Sequence, residues 1–419
     1  MTTIKYDYIV VGCGGIGSGA VYWLAKRAGK RVLGLEQFTL GHHNGGSQDY
    51  SRIIRLAGYD EQMTPVAPDT YAAWAEVERE SGLKIVTKTG GVYWKPDDAP
   101  PGSSDYMDES VAAMDANGIA YRLIDAPDFM KEFPQFRIKE HYQVIYQSET
   151  GLVDPSKGNA AHQQLAQGHG ATILENCQVQ EIRPISPTKT QVVTAKGVFE
   201  CEKLIITAGA WVQRLMDSVD MDLGLVVTRE QVTYYRTPNL RDFMPDRFPV
   251  FMVPTPIGGI YGFPVHGEVA TKAAIDLTGK PTTAETRDFE PDVAIEAYQE
   301  AWLRDHIPGF LGPKLYTKTC LYTLTKDRGF ILDSLPKHPN ILLCVGAGHA
   351  FKWASLFGRI LSELAIDGVT KYDLSALRVD RPALTDPNYE SILFNQINSR
   401  YVYFQKLGLF RLRRSRSPS

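Results

Sequence analysis

The 419-residue sequence predicts an α/β fold in two lobes. One lobe is a doubly wound, mostly parallel sheet assembled from separated stretches of chain; the other is built on an antiparallel sheet. Three observations predict this. The first 36 residues read as strand, glycine turn, helix and second strand. Two later apolar runs, Leu204-Ile205-Ile206 and Ile341-Leu342-Leu343-Cys344-Val345, each enter a glycine-rich turn. Residues 225–275 are rich in Val, Tyr, Phe and Thr with turn residues between them, which is the composition of several antiparallel strands.

The opening unit is the most specific. Tyr8-Ile9-Val10-Val11 reads as a strand, Gly12-Cys13-Gly14-Gly15-Ile16-Gly17 as a G-x-G-x-x-G turn, and a second strand ends at Glu36. Gly12 permits the tight turn, Gly14 lets backbone approach a pyrophosphate, and Gly17 lets the helix pack closely on the strand. The helix N-terminus offers unpaired N–H groups to phosphates. Glu36 stands where an acid accepts hydrogen bonds from ribose hydroxyls and repels a 2′-phosphate. The unit predicts a dinucleotide site, without distinguishing NAD from FAD.

Residues 39–58 are a polar, glycine-rich segment with few element signals, a kind of long loop that often carries function. A helix is expected over 68–82, with Tyr71, Trp74 and Val77 on its apolar side. A strand-rich region starts at Gly90 and is interrupted by a loop over 97–105. A helix over about 156–169 follows Asp154-Pro155, then β stretches at 171–174 and 191–194. The turn at Thr207-Ala208-Gly209 either presents backbone to a second part of the dinucleotide or is a tight strand-to-helix connection. Helices are expected near 291–306 and from Phe351 to about Ile366. These signals divide the chain into a discontinuous dinucleotide-binding domain (1–85, 150–220, 325–390), a substrate domain (86–149, 221–324) and a basic tail (391–419).

Composition narrows the function classes. Hydrophobic (43%) and charged (22%) fractions are those of an ordinary water-exposed globular chain, and a net charge of -3 gives no general attraction to nucleic acid. No run is apolar enough to span a membrane, and the first strand begins too early for a cleaved signal peptide, so a cytoplasmic location is expected. The C-terminal Ser417-Pro418-Ser419 is not an S-K-L signal. Five cysteines without metal-ligand spacing argue for a reducing compartment. No metal site is expected; the adjacent His42 and His43 read as a loop pair. From Gln396 onward there are six basic residues and no acid, read as a solvated tail or a weak anionic contact.

Five segments in order carry a resemblance: the glycine turn with Glu36; Ser51-Arg52-Ile53-Ile54-Arg55; Tyr261-Gly262-Phe263-Pro264 leading to Lys272; Cys320-Leu321-Tyr322-Thr323; and Gly348-His349-Ala350-Phe351-Lys352. From the N-terminus to about residue 380 the chain resembles the monomeric sarcosine oxidase family of FAD-dependent amine oxidases, which includes N-methyltryptophan oxidase and the peroxisomal sarcosine/pipecolate oxidases. The resemblance implies FAD, covalently held by a thioether from Cys320. It implies a flavin flanked by Ser51 and Arg52 and by backbone at Gly209, Gly346 and Gly348. It implies a substrate carboxylate gripped by Arg55 and Lys352, with Lys352 also on the cofactor wall. Tyr322 would line the amine pocket, and Lys272 would promote electron transfer to O2, since a fixed positive charge stabilises developing superoxide. The plainer alternatives are a buried core cysteine, surface arginines paired with Asp49 or Asp60, solvent-facing lysines and a core tyrosine.

The implied reaction is oxidation of a secondary (N-methyl) or cyclic amino acid to an imine, with hydride passing to the flavin and O2 becoming H2O2. The implied partners are a small amino acid and O2, in a monomer or small homo-oligomer. The chain departs from the resemblance in three places. Gln48 and Asp49 stand where the family commonly has histidine then glycine, Asp276 stands where sarcosine oxidases have a histidine, and the turn at 346–350 is about two residues short. These departures fall on the pocket that selects the amine, so the sequence leaves open which amine it takes, sarcosine included. A flavin dehydrogenase or imine-forming biosynthetic oxidase of a ring amine, a non-catalytic flavin-binding protein and an NAD-linked dehydrogenase are the alternatives.

Overall fold

The computed structural model describes residues 3–56, 63–99 and 103–391. Asp60 and the basic tail beyond Ser391 lie outside these residues. Two large sheets carry the fold, and the predicted α/β class is the observed one. In the first sheet five strands run parallel: Thr172–Leu174, Val32–Leu35, Ile4–Val11, Gly197–Ile206 and His338–Val345. All four residues of Val32–Leu35 and the last three of Ile4–Val11 are buried, as apolar runs are when both faces of the sheet are covered by a core. Helix Gly15–Ala28 packs on helices Ala354–Ile366 and Pro155–Gly168, so residues from the start, middle and end of the chain share one core.

The second sheet has nine strands. Strand Val226–Tyr235 runs antiparallel to Lys314–Leu324 along nearly its whole length, placing Glu230 opposite Cys320 and Thr228 opposite Tyr322. On its other side it pairs with Thr271–Ile275, which sets Tyr234 opposite Lys272. Aromatic side chains dominate the core beneath this sheet, among them Trp94, Phe136, Phe248, Phe251 and Trp302.

Several expectations need correction. The segment 39–58 contains a strand, Arg52–Ile54, paired with Gly151–Val153 in a small three-stranded sheet with Val86–Lys88. Three residues are too few for a periodicity signal, and the β-branched pair Ile53-Ile54 was the only cue. Helix Ser103–Ala116 begins inside the stretch read as a loop, because Ser and Asp suit both turns and helix starts. Helix Ala126–Glu132 and strand Ile331–Leu335, which pairs antiparallel with His338–Val345, were not foreseen. The helix expected from Phe351 opens with a 3₁₀ turn, Phe351–Trp353, and its α-helical part starts at Ala354.

Candidate active site

The strand-to-helix turn is shaped by its glycines. Gly12 sits at φ +88°, and a Cβ on Gly17 would stand 1.7 Å from the Gly12 carbonyl oxygen, so only glycine lets helix and strand approach this closely. Thr207, at the end of the neighbouring parallel strand, donates its hydroxyl to the Gly12 carbonyl at 2.8 Å. The Glu36 carboxylate is nearly buried and accepts from the backbone N–H of Cys13 at 2.9 Å and of Phe38 at 3.1 Å. These bonds hold the acid at the mouth of the turn.

From this turn a cavity of about 550 Å³ runs to the second sheet. Its walls include Gly12, Gly14, Glu36, Arg52, Arg55, Gly209, Tyr322, Gly346, Gly348 and Lys352 of the residues read from sequence. Gly17 lies behind the turn. Ser51, Lys272 and Cys320 are also not on the lining, although the neighbours Arg52, Leu321 and Tyr322 are.

The end of the cavity that carries Lys352 is cationic. Lys352 is only 8% exposed, so the solvent-facing alternative is excluded for it. Its ammonium donates to the His349 carbonyl at 2.8 Å, and its own carbonyl accepts from the Trp74 indole at 2.8 Å, which fixes the turn. Burial and then the neighbouring Arg55 push Lys352 down to about 7. Arg328 and Asp276, joined by an ion pair at 2.9 Å, stand on the same walls. Arg328 and His349 were not singled out in the sequence. Arg328 adopts a left-handed backbone at φ 57°, in a turn whose outline Lys326-Asp327-Arg328-Gly329 gives but whose direction it does not.

Behind the wall lies a buried charge cluster. Lys272 is 1% exposed, pairs with Asp49 at 2.6 Å, and donates to the Ser51 carbonyl at 2.6 Å and the Ser51 hydroxyl at 3.2 Å. Asp49 also receives Arg52 at 2.8 Å, Lys318 at 3.2 Å and the Tyr234 hydroxyl at 2.5 Å. Arg52 therefore makes the acid pairing that was its plainer alternative while also lining the cavity. Burial pushes the Cys320 thiol up to about 11, partly offset by Arg52. The cysteine is a protonated thiol at neutral pH in this state. Among the described residues no cluster of His, Cys, Asp and Glu could hold a metal ion, and no helix is long and apolar enough to cross a membrane.

Comparison with known proteins fits this geometry. Residues 7–364 match the family described as FAD dependent oxidoreductase. The chain is 32% identical to monomeric sarcosine oxidase of Bacillus sp. (strain B-0618), over 91% of this chain and 97% of that one. It is 30% identical to N-methyl-L-tryptophan oxidase of Escherichia coli (strain K12 / DH10B), over 90% of this chain and all of the other. Among solved structures, NikD, an unusual amino acid oxidase essential for nikkomycin biosynthesis, superposes with a TM-score of 0.80 at 27% identity, covering 90% of this chain and 98% of that one. The residues present fit FAD: a turn that a single Cβ would fill, an acid held at its mouth, and one cavity leading from both to the cationic end.

Proposed function

This chain belongs to the FAD dependent oxidoreductase family, and we propose that it oxidises a secondary or cyclic amino acid whose α-carboxylate is held by Arg55 and Lys352. The supporting observation is the juxtaposition of these two cations at the end of the cavity. Their mutual repulsion helps to drive Lys352 down to about 7, and an anion between them would relieve it. A bidentate guanidinium and a point-charge ammonium together fix a carboxylate in both position and orientation.

FAD, when bound, supplies the two-electron oxidation of the amine's C–N bond. Gly12, Gly14 and Glu36 would hold its adenosine and pyrophosphate end, with Arg52, Gly209, Gly346 and Gly348 beside the rest, and Cys320 would carry it covalently. Tyr261, Tyr322 and Met252 stand on the cavity wall and would line the substrate end. The reactive species is the free amine, so no residue need act as general base. Asp276 gives the same wall an acid, suited to a hydroxyl or second ammonium on the substrate. Lys272 would promote reduction of O2 to H2O2 by its charge.

The test has two stages. The purified protein should be yellow, and the colour should stay with acid-precipitated polypeptide and map to a Cys320 peptide. A panel of N-methyl and cyclic amino acids should then bleach the flavin anaerobically and yield peroxide in air. A protein that cannot be reconstituted with FAD, or that no amine in the panel reduces, would overturn the proposal.

A further inference from the structure

Asp49 has its carboxylate at the centre of a cluster of three cations, Lys272, Arg52 and Lys318. It is 2% exposed, and its backbone carbonyl is pinned by the Ser156 N–H at 3.0 Å and the Ser156 hydroxyl at 2.6 Å. Arg52 keeps its charge under all ordinary conditions. Lys318 is 26% exposed on its side chain and can share its charge with water. Lys272 has neither refuge. Without Asp49 it would sit buried near two other cations, its charge left to the Ser51 oxygens and to the Phe263 and Tyr234 rings, 4.6 and 5.9 Å from its ammonium.

We propose that Asp49 is a positioning residue that keeps Lys272 protonated and aimed from behind the cavity wall, so that this chain's oxygen chemistry depends on the Asp49–Lys272 pair. The inference rests on the reading of Lys272 as the oxygen-promoting cation. The step served is reduction of O2 by two electrons taken from the amine, with two protons, to H2O2. Its first electron makes superoxide anion, which a nearby fixed cation stabilises.

The surroundings of Lys272 set the sign of the effect. Asp49 is the acid in direct contact with it; Glu230 and Glu268 stand further out, opposite Cys320 and on the Tyr316 hydroxyl. Arg52 and Lys318 oppose its charge. Tyr234 faces it from the adjacent strand, and burial and Asp49 hold that phenol protonated. Cys320 feels the Lys272 charge, and burial holds its thiol above its ordinary value. Burial lowers Lys272 to about 8 with Asp49 opposing the fall. Removal of that opposite charge should lower it by a further ~1–3 pH units.

The experiment labels lysine with 13C and 15N and follows the Lys272 side-chain signal, identified by its loss in Lys272→Met, through a pH titration of the holoenzyme. In parallel, the photoreduced holoenzyme is mixed with O2 across the same pH range. The wild-type midpoint should lie near 8. Asp49→Asn should move it below 7 and shift the fall in oxygen rate by the same interval. An unchanged midpoint in Asp49→Asn overturns the proposal. An oxygen rate unaffected by Lys272→Met overturns instead the reading of Lys272 on which it rests, and the lysine titration separates the two failures. If Asp49→Asn does not fold, the double variant Asp49→Asn/Lys272→Met decides. Folding of the double variant supports the proposal, because the fault is then the orphaned ammonium. Failure of both assigns Asp49 a purely structural role and overturns it.

Discussion

Replacing Lys352 by Met tests the carboxylate site without opening a hole. Met has nearly the volume of the lysine stem, and the Trp74 indole bonds to the Lys352 main-chain carbonyl, which the substitution keeps. Keeping Lys352 charged while buried, at about 7 against an ordinary 10.5, costs on the order of 5 kcal/mol relative to water. The variant should therefore fold at least as well as the wild type. What it loses is one charge-assisted hydrogen bond to the substrate carboxylate, about 1.5–3 kcal/mol, or roughly 10–150-fold in affinity. The assay is anaerobic titration of the holoenzyme with a carboxylic acid that carries no oxidisable amine, followed by perturbation of the flavin spectrum. With no amine to titrate and the carboxylate ionised throughout, the remaining pH dependence belongs to the protein. Wild-type affinity should fall as pH rises through about 7, where Lys352 of the unliganded protein loses its proton, and level off at the affinity of the variant. Lys352→Met should show no such limb. Equal affinity and equal slope in both proteins would refute the placement of the carboxylate at Lys352.

Gly17→Ala should abolish FAD retention or folding, because its Cβ would fall 1.7 Å from the Gly12 carbonyl; the visible spectrum of the purified variant checks this. Cys320→Ser should leave a yellow protein whose flavin is released by acid, and colour that still precipitates with the chain would remove Cys320 as the attachment point. Stability should separate wild type from Lys352→Met in a pH-dependent way. The lysine's folded value lies below its unfolded one, so its penalty is full below about 7 and vanishes as pH rises towards 10.5. Denaturant midpoints of the flavin-free proteins should therefore converge over that window. Asp49 works in the opposite sense. Its cations hold its carboxyl well below the usual range, so its stabilisation is full above about 4 and is lost as pH falls; Asp49→Asn should flatten the acid limb of the same curve.

The parallel lobe was legible because its signals are local. A strand, a glycine turn and a helix are each written within a few residues, and the acid at Glu36 follows at a fixed distance. Lys352 was legible as buried from its flanking Phe351 and Trp353. Arg328 was not, since its place on the cavity wall depends on a left-handed turn and on an ion pair with Asp276, 52 residues earlier in the chain. Nor could sequence show that Lys272 sits behind the lining. Alternation puts a lysine on one face of a strand but does not say what stands opposite, and here the answer comes from Asp49, 223 positions away in a loop.

The departures from the family pattern become informative once they are placed in space. Asp49 and Asp276, read separately as substitutions, each bring an acid to a cationic region: one behind the wall against Lys272, Arg52 and Lys318, the other on the wall against Arg328. A pocket with cations alone would favour any carboxylate. On the proposed function Asp276 would make the substrate end selective by charge as well, since a second carboxylate brought near it would be repelled while an amine or hydroxyl would be accepted. On that reading the two acids divide the work: Asp49 would act on the protonation of a buried lysine behind the cavity lining, and Asp276 on what can enter. Substitution of Asp276 should therefore alter the ranking of amines, and substitution of Asp49 the response to oxygen and pH.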